Sequence, residues 1–331
     1  MKLIEKPLVR TLVFPAVAST AVYWVLVSIA GQNDYYMYVL TMCAINVIGA
    51  TSLNLINGFT GQFSLGHAGF MAVGAYIAGS LTKFARFPFL GALALGFVGA
   101  AIAGFLVGLP TLRLRGDYLA IATLGFGEII RMIIINSDKM GLKFLEGPRG
   151  VVGIKKLTTF GWAFFFAVVT VWVLANYIWS THGRACAAVK EDEVAAEAMG
   201  VGTTRYKVMS FTMGAAFAGL AGGLHAHLLQ LLHPASYDFL KSCDFLVMVV
   251  VGGMGNLTGS VLGALFVTVV AEALRKALEF RMLIYAVGLI CVMLFRPEGL
   301  FGTREFNLGW FKFLVWRKAA SQAGGDSGGP A

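Results

Sequence analysis

Apolar runs close to twenty residues long recur along this chain, and their spacing limits its fold more than any other feature. About 30 Å of hydrocarbon takes about 20 residues of α-helix to cross, and only helices or closed barrels satisfy their backbone inside a bilayer. The runs lie at about 11–30, 35–56, 62–82, 87–109, 117–136, 160–179, 206–231, 242–256, 259–274 and 282–296. They predict an all-α, polytopic transmembrane bundle of about ten spans, with eight or nine also compatible. The run at 242–256 is short and ends in Gly252-Gly253-Met254-Gly255-Asn256, the pattern of a re-entrant or discontinuous helix. Charged residues make up only 13% of the chain, about half the share of a soluble domain. The 41 glycines suit helices that approach closely.

The first run follows Lys2, Lys6 and Arg10. A signal peptide fits this pattern, with Ser28-Ile29-Ala30 resembling a cleavage site. The length of the run and its Tyr23 and Trp24 favour an uncleaved first helix. With the N-terminus inside, fourteen Lys and Arg fall on the inner side and eleven on the outer, and Arg131 lies within a span. The positive-inside rule then weakly favours cytoplasmic N- and C-termini. The net charge of +9 sits at span ends rather than on one solvated face, which argues against nucleic-acid binding. Residues 1–302 read as one transmembrane domain. Residues 303–331 read as an interfacial segment, carrying Trp310, Phe311, Phe313 and Trp316, followed by a disordered Gly-rich tail.

Several chemistries are missing from these 331 residues. There is no G-x-x-x-x-G-K-[ST] phosphate loop. Cys43, Cys186, Cys243 and Cys291 have no metal-ligand spacing and read as small apolar fillers. His225 and His227, two apart, point to different helix faces and read as structural rather than metal-binding. An enzyme would need a reactive constellation, and none emerges. An ion-coupled secondary transporter would need several carboxylates at membrane depth, and only Glu128 is clearly placed there.

Three segments stand out. In 57–76 the glycines Gly58, Gly61, Gly66, Gly69 and Gly74 alternate with Asn57, Gln62, Ser64 and His67. Each glycine weakens a helix by about 1 kcal/mol relative to Ala. The segment is either a broken helix lining a path or an ordinary span packed closely through Gly66, Ala68 and Gly69. In the run 117–136, Glu128 and Arg131 are three apart and share a helix face. They read as an ion pair that joins two helices, or as groups lining a path, because ionisable residues at this depth are costly. The polar stretch 180–205, containing Arg184, Lys190, Glu191, Asp192, Glu193, Ala195, Ala196, Glu197, Ala198 and Gly200, predicts one short amphipathic helix and a turn. Val189, Val194 and Ala198 would form its apolar strip. It serves either as a solvated loop or as a docking site for a soluble partner.

Taken together and in order, GFTGQFSLGHAGFMAVGAY (58–76), DYLAIATLGFGEIIR (117–131), GPRGVVGI (147–154), KEDEVAAEAMGV (190–201) and GGMGNLTGSVLGA (252–264) resemble the permease subunits of bacterial branched-chain amino-acid ABC importers, and the LivM-like branch more than the LivH-like one. The resemblance runs from about residue 37 to 302. It implies an inner-membrane permease without catalytic residues, a second LivH-like permease, two cytoplasmic ATPase subunits that carry ATP and Mg, and a periplasmic substrate-binding protein. It also implies that 180–205 is the cytoplasmic ATPase-docking loop and that the outer loop at about 137–159 faces the binding protein. For Gly61, Gln62, Ser64, Gly66, His67, Glu128 and Arg131 it implies a path-lining or packing role. Permeases for urea or short-chain amides have similar sequences. Most substrate choice is expected in the binding protein, so the pore itself needs no tight site.

Overall fold

The computed structural model describes residues 33–111, 114, 116–141 and 143–274, with isolated positions nearer the termini. The expected span at 11–30 is described only at Ser19, Thr20, Tyr23, Trp24, Leu26, Val27 and Ser28 and that at 282–296 only at Ile290, and the tail 303–331 and Cys291 lie outside the described residues. Gln32–Thr303 forms one compact unit.

Ten α-helices occur among the described residues of this unit: α1 Asp34–Asn54, α2 His67–Phe84, α3 Phe89–Thr111, α4 Asp117–Ile135, α5 Phe160–Ile178, α6 Thr181–Glu191, α7 Glu193–Ala198, α8 Thr203–Leu229, α9 Phe239–Gly252 and α10 Leu257–Ala273. Five helical segments are long and apolar enough to cross a membrane: α1 with the turn that continues it, α3, α4, α5 and α8. Two two-residue strands, β1 Val151–Val152 and β2 Leu231–Leu232, pair antiparallel. They tie the 137–159 segment to the far end of α8.

Small residues bring the central helices together. A side chain at Gly74 of α2 would collide with the backbone of Gly219 in α8, and one at Gly222 with the Met71 carbonyl. Gly96 of α3 meets the Gly74 carbonyl, and Gly104 meets Ala215. Helix association in a bilayer depends on such van der Waals approach, because burying apolar surface gains little from lipid. α8 is accordingly buried from Val208 to Leu228, apart from Met209, Thr212 and Met213, which are half-buried. α1 packs on α5, α8 and α10, and α9 on α10. α4 is the most open of the long helices, with Tyr118, Ile121, Ile129 and Met132 exposed.

The polar stretch departs from expectation. It forms two helices, because Asp192 ends α6 in an extended conformation and caps α7, its Oδ1 accepting from the N–H groups of Val194 (2.9 Å) and Ala195 (3.0 Å). Cys186, Val189 and Ala196 are buried while Val194 and Ala198 face outward; Val189, Val194 and Ala198, five and nine residues apart, do not share a helix face, so the expected apolar strip does not form. Glu193 is not free on the surface but pairs with Lys207 of α8 at 2.6 Å. Met199 and Val194 are the exposed apolar residues of the segment, at 84% and 65%.

Candidate functional site

α1 does not run on into α2. Its last turn widens into a π-helix, Leu55–Phe59, and residues 60–66 have no helical structure. The second helix therefore starts at His67, five residues later than the apolar run at 62–82 suggests. The structure combines one element of each reading of 57–76, a break and close packing. The helix is broken, and Gly66 and Gly69 also approach α4 closely, against the Thr123 carbonyl and the Gly127 Cα.

A break frees backbone groups, and buried ones need partners. Here distant elements supply them. Thr123 Oγ1 of α4 accepts from Leu65 N–H at 3.1 Å, and Ser242 Oγ of α9 accepts from Ala68 N–H at 3.0 Å. Within the break, Asn57 Oδ1 accepts from Ser64 N–H (3.2 Å), Gln62 N–H donates to the Ile56 carbonyl (3.1 Å), and Thr60 Oγ1 donates to the same carbonyl (2.7 Å). Gly61 turns the chain at φ +67°, a region that favours glycine.

The short turn between α9 and α10 is fastened to this break. Asn54, fully buried, accepts from Gly255 N–H (2.9 Å) and donates to the Asn256 carbonyl (3.0 Å). A side chain at Gly58 would strike Asn54 Oδ1 and the Gly255 nitrogen. His67 is also fully buried, its Nε2 2.9 Å from Ser52 Oγ and its ring edge-on to Phe245 at 5.7 Å. Both amide atoms of Gln62, Ser64 Oγ and His67 Nδ1 are buried without a hydrogen-bond partner. The break thus concentrates polar groups in an otherwise apolar bundle.

The polar α6–α7 segment reaches the same place. Ser180 caps α6 by accepting from His182 and Gly183 N–H (3.1 and 3.4 Å), and α6 ends against the π-turn. A Cβ at Gly61 would lie 3.0 Å from Lys190 Cγ, and one at Gly255 3.5 Å from Lys190 Nζ. One side chain of α6 therefore spans both non-helical turns. Arg184, Glu191, Asp192, Ala195, Glu197, Ala198 and Gly200 are exposed on this segment. Gly200 has φ +84°.

Glu128 and Arg131 do pair, Arg131 Nε to Glu128 Oε2 at 2.8 Å, but within α4. The bond does not join two helices, contrary to one expectation for it, because the three-residue spacing closes it on one face. His225 and His227 are buried and bond separately, to Tyr237 OH (3.1 Å) and to the Gly223 carbonyl (2.7 Å). Among the described residues no cluster of His, Cys, Asp or Glu is arranged to hold a metal. Asn54, Thr123 and Ser242 went unnoticed in the sequence. Their partners lie 58 to 202 residues away, so no local pattern marks them.

Comparison with known proteins bears on this arrangement. No solved structure matches the chain. The permease protein LivM of the high-affinity branched-chain amino acid transport system of Salmonella typhimurium is 35% identical over 314 residues, covering 85% of this chain and 72% of that protein. LivM of Escherichia coli has the same identity and coverage. LivH of Escherichia coli is 26% identical over 285 residues, covering 77% of this chain and 91% of LivH. The family model described as branched-chain amino acid transport system, permease component, matches residues 35–295, and the chain belongs to that family.

Proposed function

We propose that this chain forms half of the translocation path of an ATP-driven importer, passing branched-chain amino acids delivered by a periplasmic binding protein. Its other half is a second, LivH-like permease. Two ATPases on the inner side bind and hydrolyse ATP, and this chain performs no catalysis. It lies in the inner membrane as about ten spans with both termini inside, and residues 1–302 act as one permease domain.

One observation carries the mechanism: Lys190 of α6 lies against both Gly61 and Gly255. α6 and α7 form the docking segment, with Val194 and Met199 presented to the ATPase and Arg184, Glu191, Asp192, Glu193, Ala195, Ala196, Glu197, Ala198 and Gly200 shaping and rimming it. When the ATPases close, α6 moves, and the two turns move with it. ATP binding has to favour one arrangement of these turns over the other, because only a differential interaction shifts a conformational equilibrium. Gly61, Gln62, Ser64, Gly66 and His67 line or pack the path at the break, and Glu128 and Arg131 flank it on α4. The 137–159 segment, at the opposite end, receives the binding protein.

Docking is tested by Val194→Asp with Met199→Asp. Both side chains are exposed, so the permease folds normally. The expected result is a permease pair that no longer co-purifies with its ATPases. Unchanged co-purification and coupled ATP hydrolysis refute the docking role.

A further inference from the structure

A second site lies at the end of the bundle away from α6 and α7. The first turns of α1 and α9 and the last turns of α10 enclose a cavity of about 200 Å³. Lys241 is about thirteen residues from the α9–α10 turn, which is about 20 Å of helix. The cavity is therefore separate from that turn, while the Phe245 ring, edge-on to His67 at 5.7 Å, divides it from the start of α2.

Its lining combines three kinds of group. Met42, Met248 and Val267 make it apolar. Lys241 supplies a cation. Its Nζ stands 4.9 Å from the centre of the Phe245 ring, and among the described residues no carboxylate lies within ion-pair distance of it. Asn46 supplies an acceptor: the residue is only 4% exposed, its Nδ2 donates to Thr268 Oγ1 at 2.9 Å, and its Oδ1 has no partner. Asp244 and Glu272 add negative charge to the wall while engaged in contacts of their own, Glu272 with Tyr35 OH at 3.0 Å. Polar groups at membrane depth are costly unless they meet complementary partners.

From these groups we infer that the cavity is a low-affinity site for a free aliphatic α-amino acid, occupied before the ligand reaches the break. The carboxylate meets Lys241. The ammonium sits in the negative field of Asp244 and Glu272, and Asn46 turns its buried Oδ1 to accept from it. The aliphatic side chain packs on Met42, Met248 and Val267. An engineered cavity of about 150 Å³ holds one benzene. On that scale this cavity takes about eight heavy atoms, the size of a small aliphatic amino acid. That the ligand is the transported one rests on the function proposed above.

The test uses the intact importer complex in nanodiscs and a leucine analogue whose side chain carries a diazirine. After illumination, cross-linked peptides are mapped by mass spectrometry. Labelling is expected on the peptides containing Met42, Met248 or Val267. It should be suppressed by excess leucine but not by isoamylamine, which lacks the carboxylate. Lys241→Met should reduce it about tenfold, the loss of one charge-assisted hydrogen bond, and Lys241→Arg should largely restore it. Labelling only elsewhere, equal suppression by isoamylamine, or capture of a diazirine fatty acid in place of the amino acid overturns the site. The wild-type competition decides the matter even if Lys241→Met is unstable. Uptake of labelled leucine by the same preparation separates the two claims. Uptake without cavity labelling rejects this site alone, whereas no uptake of leucine, isoleucine or valine rejects the branched-chain reading.

Discussion

Replacing Asn54 by Ala should loosen the α9–α10 turn from the broken helix without unfolding the bundle. Asn54 is the only side chain among the described residues that bonds both Gly255 N–H and the Asn256 carbonyl. The carbonyl keeps another partner, since Ser260 N–H and Oγ each donate to it at 3.0 Å. The cost therefore falls mainly on the Gly255 N–H. Gly255 is half-buried, so leaving its N–H unpaired costs about 1 kcal/mol, the lower end for a buried donor. The missing amide leaves a small void worth about 1 kcal/mol more. Local opening of the turn should become easier by about 2 kcal/mol, which is about 30-fold in the opening equilibrium. Amide hydrogen exchange of the purified complex reads this directly at Gly255. Asn57→Ala serves as the control, because Asn57 holds Ser64 and not the turn. It should speed exchange at Ser64 and leave Gly255 protected. Exchange at Gly255 within about threefold of wild type in the Asn54→Ala protein would refute the reasoning.

Three further substitutions probe the same geometry. Gly74→Val should place its side chain in the backbone of Gly219 and cost about 3 kcal/mol or more, seen as a lower midpoint in a thermal scan followed by size-exclusion chromatography; an unchanged midpoint contradicts the α2–α8 contact. Glu128→Ala leaves Arg131 without its 2.8 Å partner on the open face of α4, and should mainly lower the yield of assembled complex. Normal yield with lost transport would instead assign Glu128 to the path. Gly61→Val combines a positive φ with a side chain against Lys190, so it should reduce ATP hydrolysis coupled to transport more than it reduces ATPase binding, measured by co-purification beside coupled ATPase rate. Equal losses would separate Lys190 from coupling.

Much of this fold was legible because bilayer physics acts on local sequence. The runs at 35–56, 87–109, 117–136 and 160–179 predict helices within about three residues of α1, α3, α4 and α5. The break was legible as a density of glycine. Its extent was not, because residues 60–66 are held by Thr123 and Ser242, which belong to other helices. The 180–205 stretch shows the opposite failure. Asp192 ahead of Val194 and Ala195 is a local capping signal, and reading 180–205 as one short helix and a turn passed over it. The expected strip of Val189, Val194 and Ala198 also mixed two helix faces, whereas Cys186, Val189 and Ala196 are the buried residues. The Glu128–Arg131 pair was visible from spacing alone. The same spacing closes the pair within α4, so it makes no link to a second helix.

The central claim is that this chain is the passive half of a pore driven from another chain. Its most direct test is uptake into proteoliposomes that contain the chain, its permease partner and the two ATPases, with binding protein and labelled amino acid outside and ATP inside. The claim predicts accumulation of leucine, isoleucine and valine that stops when ATP or either permease is left out. Accumulation by this chain alone on an ion gradient, or of urea in place of the amino acids, would contradict it.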